Sequence, residues 1–141
     1  IVSIANEKGG VGKTPTALNV GTALVSKGYK VLIIDLDQQA NLTDYLGYEN
    51  DNGHTISDVI FAVASGHDYN YENVIRINSE GLSYIPASKM LASTTAVLSS
   101  ISDSQEVMKN ILSSPFFNTC CLISLNAKAL IFSQTVAGAL P

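Results

Sequence analysis

The chain has 141 residues, which is about the length of one domain. Its content of 46% hydrophobic and 14% charged residues is typical of a compact globular protein and excludes a disordered or fibrous class. The net charge of −4, with basic residues scattered along the chain, shows no DNA-binding face. No apolar run reaches the roughly 20 residues that cross a bilayer. We therefore expect a cytoplasmic protein with one domain over residues 1–141 and no membrane partner.

The first elements in chain order predict a strand, a loop and a helix. Residues 1–5 form a short, β-branched apolar run, and apolar residues at helical spacing follow over 17–24 until Gly28, where a helix C-cap belongs. The next run, residues 31–34, is continuously apolar and is closed by Asp35, as expected for a parallel strand covered on both faces. The two strands of such a βαβ unit point the same way, so we expect the loop and Asp35 at one edge of a sheet.

The rest of the chain predicts further helices and strands of an α/β fold. Thr55 is a candidate N-cap, Gly66 ends the helix that follows, and Pro86 stops a strand. Helices are predicted over residues 58–64, 90–98 and 103–112. Strands are predicted over 82–85 and 120–123, and turns over 51–53 and 113–115. Helix and strand compete over residues 125–141, whose structure stays open.

A glycine-rich string lies between the first predicted strand and helix: Lys8-Gly9-Gly10-Val11-Gly12-Lys13-Thr14. In that context such a string predicts a phosphate-binding loop. Glycines let the backbone N–H groups point inward, and the following helix N-terminus adds positive potential. Lys13 is then expected to reach the β- and γ-phosphates of a triphosphate, and the Thr14 hydroxyl to ligate Mg²⁺.

The loop has the deviant form of this motif. Glu7 occupies the position, five residues before Gly12, where the ordinary form requires glycine, and Lys8 precedes the glycine pair. With these residues the chain resembles the ParA/MinD family of P-loop ATPases, and it looks most like the chromosome- and plasmid-partitioning members. Two more segments are similar to that family, Asp35-Leu36-Asp37-Gln38-Gln39-Ala40-Asn41-Leu42-Thr43 and Ile85-Pro86-Ala87-Ser88. The resemblance implies a P-loop NTPase with a doubly wound, mostly parallel sheet flanked by helices, of which this chain is the N-terminal portion.

The resemblance also implies roles for individual residues, with ATP and Mg²⁺ as cofactors. Lys8 looks like the signature lysine that crosses a dimer interface to the partner's nucleotide, Asp37 like the carboxylate that orients the attacking water, and Asp35 like a residue near the magnesium shell. The implied catalytic residues are Lys8, Lys13 and Asp37, and the implied metal residues are Thr14 and Asp35. The implied nucleotide-binding residues are Lys8, Gly9, Gly10, Val11, Gly12, Lys13, Thr14, Pro15 and Thr16.

Simpler interpretations of several residues stay open. Asp35 and Asp37 are also what the end of a strand and the start of a turn would contain. His54 and His67 lie in polar segments without a partner at ligand spacing, so we expect surface histidines. The adjacent Cys120 and Cys121 are expected to be small buried hydrophobes in a strand.

The chain departs from the family pattern in three respects. Pro15 lacks the N–H that faces the α-phosphate, which is expected to cost roughly 1.5–3 kcal/mol, a tenfold to hundredfold loss of ATP affinity. Ser124 and the residues after it stand where the resemblance leads us to expect an aspartate and a proline pair, so hydrolysis is expected to be impaired. Typical family members are also considerably longer. A fragment, or a shifted reading frame near Asn118, is our hypothesis for these departures together.

The sequence thus supports two functional hypotheses. The first is a ParA-like ATPase in chromosome or plasmid partitioning, which closes a sandwich homodimer on ATP and reopens it on hydrolysis. For that function the resemblance implies a ParB-like activator, non-specific DNA and association with the nucleoid. The second is a non-hydrolysing nucleotide-binding module or inactive fragment of such an ATPase.

Overall fold

The computed structural model describes residues 1–6, 8–49, 53–99 and 104–126, which form an α/β fold. The strands of this part of the chain are β1 (Val2–Ala5), β2 (Val31–Leu36), β3 (Arg76–Ile77), β4 (Ser83–Ile85) and β5 (Cys121–Asn126). The helices are α1 (Lys13–Ser26), α2 (Asn41–Tyr45), α3 (Ile56–Ala64), α4 (Leu91–Ser99) and α5 (Ser104–Leu112). Two 3-10 helices cover Tyr71–Asn73 and Pro115–Thr119. No helix in the described ranges combines the length and the hydropathy that a bilayer crossing requires.

The strands form one mixed sheet in the order β1-β5-β2-β4-β3. Every pair is parallel except β3 with β4, so the prediction of a mostly parallel sheet is confirmed. The first two strands are not neighbours, because β5 lies between them and pairs with both. Parallel strands end at the same edge of a sheet, so the carboxyl ends of β1, β5 and β2 lie side by side.

Both faces of β2 are covered, as its continuous apolar run predicts. Alternate side chains of a strand point to opposite faces. Leu32, Ile34 and Leu36 pack in one cluster with buried residues of α3, α4 and α5. Val31 and Ile33 pack in the other, with residues of α1 and the segment around α2. The sheet is therefore sandwiched between helices, which confirms the doubly wound α/β class.

Helix α1 lies close against the sheet at a glycine. A Cβ on Gly21 would stand 2.9 Å from Cδ1 of Ile33 and 3.4 Å from Cδ1 of Leu82, and both of these neighbours are buried. The helix ends at Ser26 with Lys27 as its C-cap, and Gly28 follows with a φ of 86°, which confirms the predicted C-terminal stop. The close approach fixes α1, and with it the loop that precedes it, against the strand that carries the acidic motif.

Most predicted elements are present, with shifted ends, and some were not predicted. Helix α2, strand β3 and the 3-10 helices were not predicted from the sequence. The last strand was expected to end at Ile123, which was wrong, because β5 continues through Asn126. Cys120 precedes that strand and is only half-buried, so its placement as a buried strand residue was also wrong. Residues 51 and 52 of the predicted turn over 51–53 and the segment 127–141 lie outside the described residues, and the single domain over 1–141 stays a prediction.

Candidate functional site

The loop that joins β1 to α1 takes a conformation that glycine makes possible. Gly10 and Gly12 have φ values of 71° and 87°, in the left-handed region that other residues rarely adopt. A Cβ at either position would meet nothing within 4 Å, so backbone conformation and not lack of space requires glycine here. Gly12 is the N-cap of α1 and supplies no capping side chain. The first N–H groups of α1 therefore have no partner from a cap, which is the arrangement that binds anions at helix N-termini.

A cavity of about 650 Å³ opens between this loop and the segment after β2. That volume is within the range of small-molecule sites. Its lining residues are Gly9, Gly10, Val11, Gly12, Lys13, Thr14, Pro15, Asp37, Gln38, Gln39 and Asn41. The predicted loop and the predicted acidic motif thus meet at one edge of the sheet, at the carboxyl ends of β1 and β2.

Two of the predicted nucleotide-binding residues, Lys8 and Thr16, do not line this cavity. Lys8 is exposed, and its backbone N–H donates to Oδ1 of Asn6 at 2.9 Å. The hydroxyl of Thr16 donates to the carbonyl of Gly12 at 2.7 Å, back along the helix. Lys13 does line the cavity, and its Nζ donates to the Lys8 carbonyl at 3.2 Å, so the ammonium lies across the loop.

Asp37 lies on the wall opposite the loop and is 6% exposed. Its Oδ1 accepts a hydrogen bond from the backbone N–H of Gln39 at 3.0 Å, and its carbonyl accepts one from Ala40 at 2.9 Å. Ala40 has a φ of 53° and is the N-cap of α2. These hydrogen bonds form the turn after β2 around Asp37. The Asp37 carboxylate lies at the cavity, where the sequence predicted a carboxylate.

Asp35 lies inside β2, not at its end, and is 1% exposed. Its Oδ1 accepts from the N–H of Asp37 at 3.0 Å, and its Oδ2 accepts from the N–H and the hydroxyl of Thr43 at 3.0 and 2.7 Å. Burial raises the pKa of Asp35, and the hydrogen bonds from Thr43 and Asp37 oppose that rise. The structure does not bring Asp35 to the cavity beside Thr14, and its role at the metal stays a prediction.

Pro15 is the third residue of α1. The first helical hydrogen bond that the loop makes is from the N–H of Thr16 to the carbonyl of Gly12, at 3.0 Å. The N–H that proline lacks would precede this bond and would have no carbonyl partner within the helix. Pro15 therefore removes no hydrogen bond from within α1, and the missing donor matters to whatever occupies the cavity that Pro15 lines.

The carboxyl end of β5 carries no acidic residue. Ser124 pairs with Ile34 inside the strand, whereas the residues level with Asp35 and Leu36 are Leu125 and Asn126. The expectation that Ser124 begins the loop after this strand was wrong, because the strand is longer than its apolar run. The sequence has no Asp or Glu after Glu106. Neither the described part of β5 nor the sequence after it therefore offers a carboxylate for this position.

Three polar residues that line the cavity had no predicted role: Gln38, Gln39 and Asn41. Their position in the sequence could have indicated a role, because they follow the predicted site residue Asp37 at the carboxyl end of a strand, where ligands bind in α/β folds. The two histidines are both exposed and do not line this cavity. Nδ1 of His54 lies 2.6 Å from the Tyr69 hydroxyl, in a row of aromatic rings that includes Tyr71.

Comparison with known proteins decides the family. A sequence model of the AAA domain family matches residues 1–115. The chain belongs to this family. Its sequence is of the ParA/MinD type of P-loop protein: it is 40% identical over 87 residues to the chromosome partitioning protein ParA of Caulobacter vibrioides, and 38% identical over 94 residues to the sporulation initiation inhibitor protein Soj of Bacillus subtilis.

A solved structure supports the same fold. Cobyrinic acid a,c-diamide synthase from Mycobacterium smegmatis, with a bound ATP analogue and magnesium, matches with a TM-score of 0.75 and 28% identity. The match covers 89% of this chain and 50% of that one. The matches to ParA and Soj cover 62% and 65% of this chain but 32% and 35% of the relatives. The chain thus spans about a third to a half of the proteins that it matches.

Proposed function

We propose that this chain binds Mg-ATP in the cavity between the loop 8–16 and the segment after β2, and acts as a ParA-like ATPase. The observation that carries the proposal is the shape of that cavity, in which a glycine loop with left-handed residues and a helix N-terminus faces a carboxylate. Phosphate groups fit this arrangement because backbone N–H groups bind them without side-chain bulk. The bound ATP analogue and magnesium of the matched synthase are consistent with it.

Three of the lining residues have a defined task in this proposal. The Lys13 ammonium would exchange the Lys8 carbonyl, 3.2 Å away, for the β- and γ-phosphates. The Thr14 hydroxyl would be a magnesium ligand, and the cation itself would neutralise charge on the phosphates. Asp37 would accept a hydrogen bond from the attacking water and hold it in line with the γ-phosphate.

Lys8 supports the proposal that turnover belongs to a dimer. It is exposed beside the loop but does not line the cavity of its own chain, so its ammonium is available to a nucleotide held by a second copy. Closure of a sandwich homodimer on ATP and its opening on hydrolysis would give a timed switch. By analogy with the partitioning relatives, a ParB-like activator, non-specific DNA and a cytoplasmic, nucleoid-associated location belong to the same proposal.

A second candidate function is a nucleotide-binding module that does not hydrolyse ATP. Two observations favour it: Pro15 removes a donor from the cavity wall, and β5 ends on Leu125 and Asn126 without a carboxylate. Neither change prevents Lys13 and Thr14 from holding a nucleotide. The two candidates therefore agree on binding and differ in turnover.

Titration calorimetry with Mg-ATP and a phosphate-release assay on the purified chain test both candidates. Lys13→Ala removes the ammonium from the cavity, and Lys30→Ala, which changes an exposed lysine away from it, is the matched control. We expect binding that Lys13→Ala abolishes and Lys30→Ala leaves intact. Phosphate release that depends on Lys13 supports the ATPase, and binding without release supports the module. Absence of saturable binding at millimolar Mg-ATP contradicts both.

A further inference from the structure

Thr43 does not line the cavity, yet it lies at the centre of the hydrogen bonds that hold the cavity's second wall. It is 1% exposed and belongs to α2. Its hydroxyl donates to Oδ2 of Asp35 at 2.7 Å and accepts from the N–H of Ala87 at 2.8 Å. The direction of both bonds follows from chemistry, because a backbone N–H can only donate and the hydroxyl proton is therefore left for the carboxylate.

The Asp35 carboxylate extends this connection to the site. Its second oxygen, Oδ1, accepts from the N–H of Asp37, so one carboxylate joins Thr43 on one side to the aspartate of the cavity wall on the other. Both oxygens of Asp35 accept hydrogen bonds inside the protein, and the residue is buried to 1% exposure. Hydrogen bonds to a buried carboxylate are stronger than neutral ones and have no water to replace them.

The segment that these bonds hold has little stability of its own. Helix α2 has five residues, far fewer than an isolated helix needs. The turn before it contains Ala40 with a φ of 53°, a conformation that is strained for a residue with a Cβ. Tertiary contacts must therefore hold this segment in place. At the end of the segment that forms α2, the buried polar contacts are those of Thr43.

The other end of the connection is anchored in the loop after β4. Ala87 is 2% exposed, and the preceding carbonyl, that of Pro86, accepts a hydrogen bond from the N–H of Ile56 at 2.9 Å. Ser88 Oγ lies 3.3 Å from the hydroxyl of Thr55, the N-cap of α3. The Ile85–Ser88 motif thus connects the cavity wall to the start of α3 instead of contacting the cavity itself.

We propose that Thr43 is a positioning residue, whose hydroxyl holds the segment 37–41 at the distance from the phosphate loop that turnover requires. Its effect on turnover rests on the proposed function, but its effect on the order of the segment does not. Asp35 contributes to the same hydrogen-bond network, because its carboxylate accepts hydrogen bonds from Thr43 and from the backbone N–H of Asp37. Removal of the hydroxyl leaves the Ala87 N–H and one lone pair of Asp35 without their partner, while every residue that lines the cavity is retained.

The test compares Thr43→Val, which keeps the shape and removes the hydroxyl, with Thr43→Ser, which keeps the hydroxyl. Thr95→Val is the matched control, because Thr95 also donates a hydroxyl hydrogen bond, to the Leu91 carbonyl at 2.6 Å, but in α4. Amide hydrogen exchange of the nucleotide-free chain reads the order of the segment directly. In Thr43→Val we expect the amides of residues 39–44 and 87 to exchange about tenfold to hundredfold faster, the factor for a lost hydrogen bond to a charged group.

Thr43→Ser should restore slow exchange in that segment, and Thr95→Val should leave it slow. With Mg-ATP, Thr43→Val should lower phosphate release at saturating nucleotide while the dissociation constant stays close to the wild-type value, because the loop contacts remain. Unchanged exchange at 39–44, or equal acceleration in α1, would overturn the proposal, as would a serine variant that behaves like valine. A chain that binds no ATP would refute the proposed function, and the exchange data would still decide the role of Thr43.

Discussion

Replacement of Pro15 by alanine is expected to change ATP affinity and stability in opposite directions. Alanine restores a backbone N–H at the third position of α1, on the wall of the cavity. This N–H finds no acceptor in the helix, because the first helical bond is made by Thr16, so its partner in the complex is a phosphate oxygen. A hydrogen bond to a charged acceptor is worth about 1.5–3 kcal/mol, which corresponds to a tenfold to hundredfold tighter complex.

The same change should make the nucleotide-free chain less stable. Proline restricts the unfolded chain, and its removal at a compatible position costs about 0.4–1 kcal/mol. The measurements are titration calorimetry with a non-hydrolysable ATP analogue and magnesium, and thermal unfolding without nucleotide. Pro115→Ala is the control, since Pro115 also lies in the first turn of a helix but outside the cavity lining, and it should lower stability without a change in affinity. Equal affinities for the wild type and Pro15→Ala would refute the argument that the loop lacks a phosphate donor.

Three further changes test the fold and its electrostatics. Asp58→Ala should lower the free energy of unfolding by about 0.5–2 kcal/mol in denaturant titrations, because its carboxylate caps the start of α3, and the exposed Glu80→Ala should not. Gly21→Val should cost about 1–3 kcal/mol, because its Cβ would stand 2.9 Å from Cδ1 of the buried Ile33. Burial raises the pKa of Tyr69 to about 12, so the folded chain holds this proton longer than the unfolded one. Stability should therefore fall as pH rises from about 10 to about 12, and Tyr69→Phe should flatten that fall in unfolding experiments across this range.

The phosphate loop could be predicted from the sequence because its physics is local. Glycines at Gly10 and Gly12 permit left-handed backbone, and the strand before them and the helix after them have clear periodicity. The position of Asp37 on the opposite wall followed from one further rule, that parallel strands end at the same edge. These predictions used only the βαβ unit and depended on no contact with residues further along the chain.

The parts that the sequence did not predict depend on distant contacts. Helix α2 is too short for a periodic signal and is held by Thr43, which contacts Asp35 and Ala87, 44 residues further along the chain. Asp35 was predicted at the end of a strand because it is charged. The hydrogen bonds from Thr43 allow its carboxylate to lie buried within β2. The strand order, with β5 between β1 and β2, likewise follows from pairing across more than 80 residues. A pattern in one segment contains none of this information.

The most direct test of the nucleotide site is a backbone amide spectrum of the isotope-labelled chain, recorded while Mg-ATP is added. We expect saturable shifts of the Gly9–Thr14 amides and of the amides of residues 37–41, with little change in α3 and α5. The same titration of Lys13→Ala should produce no saturable shifts. Shifts that centre on another part of the chain, or a loop that does not respond to millimolar Mg-ATP, would contradict the account.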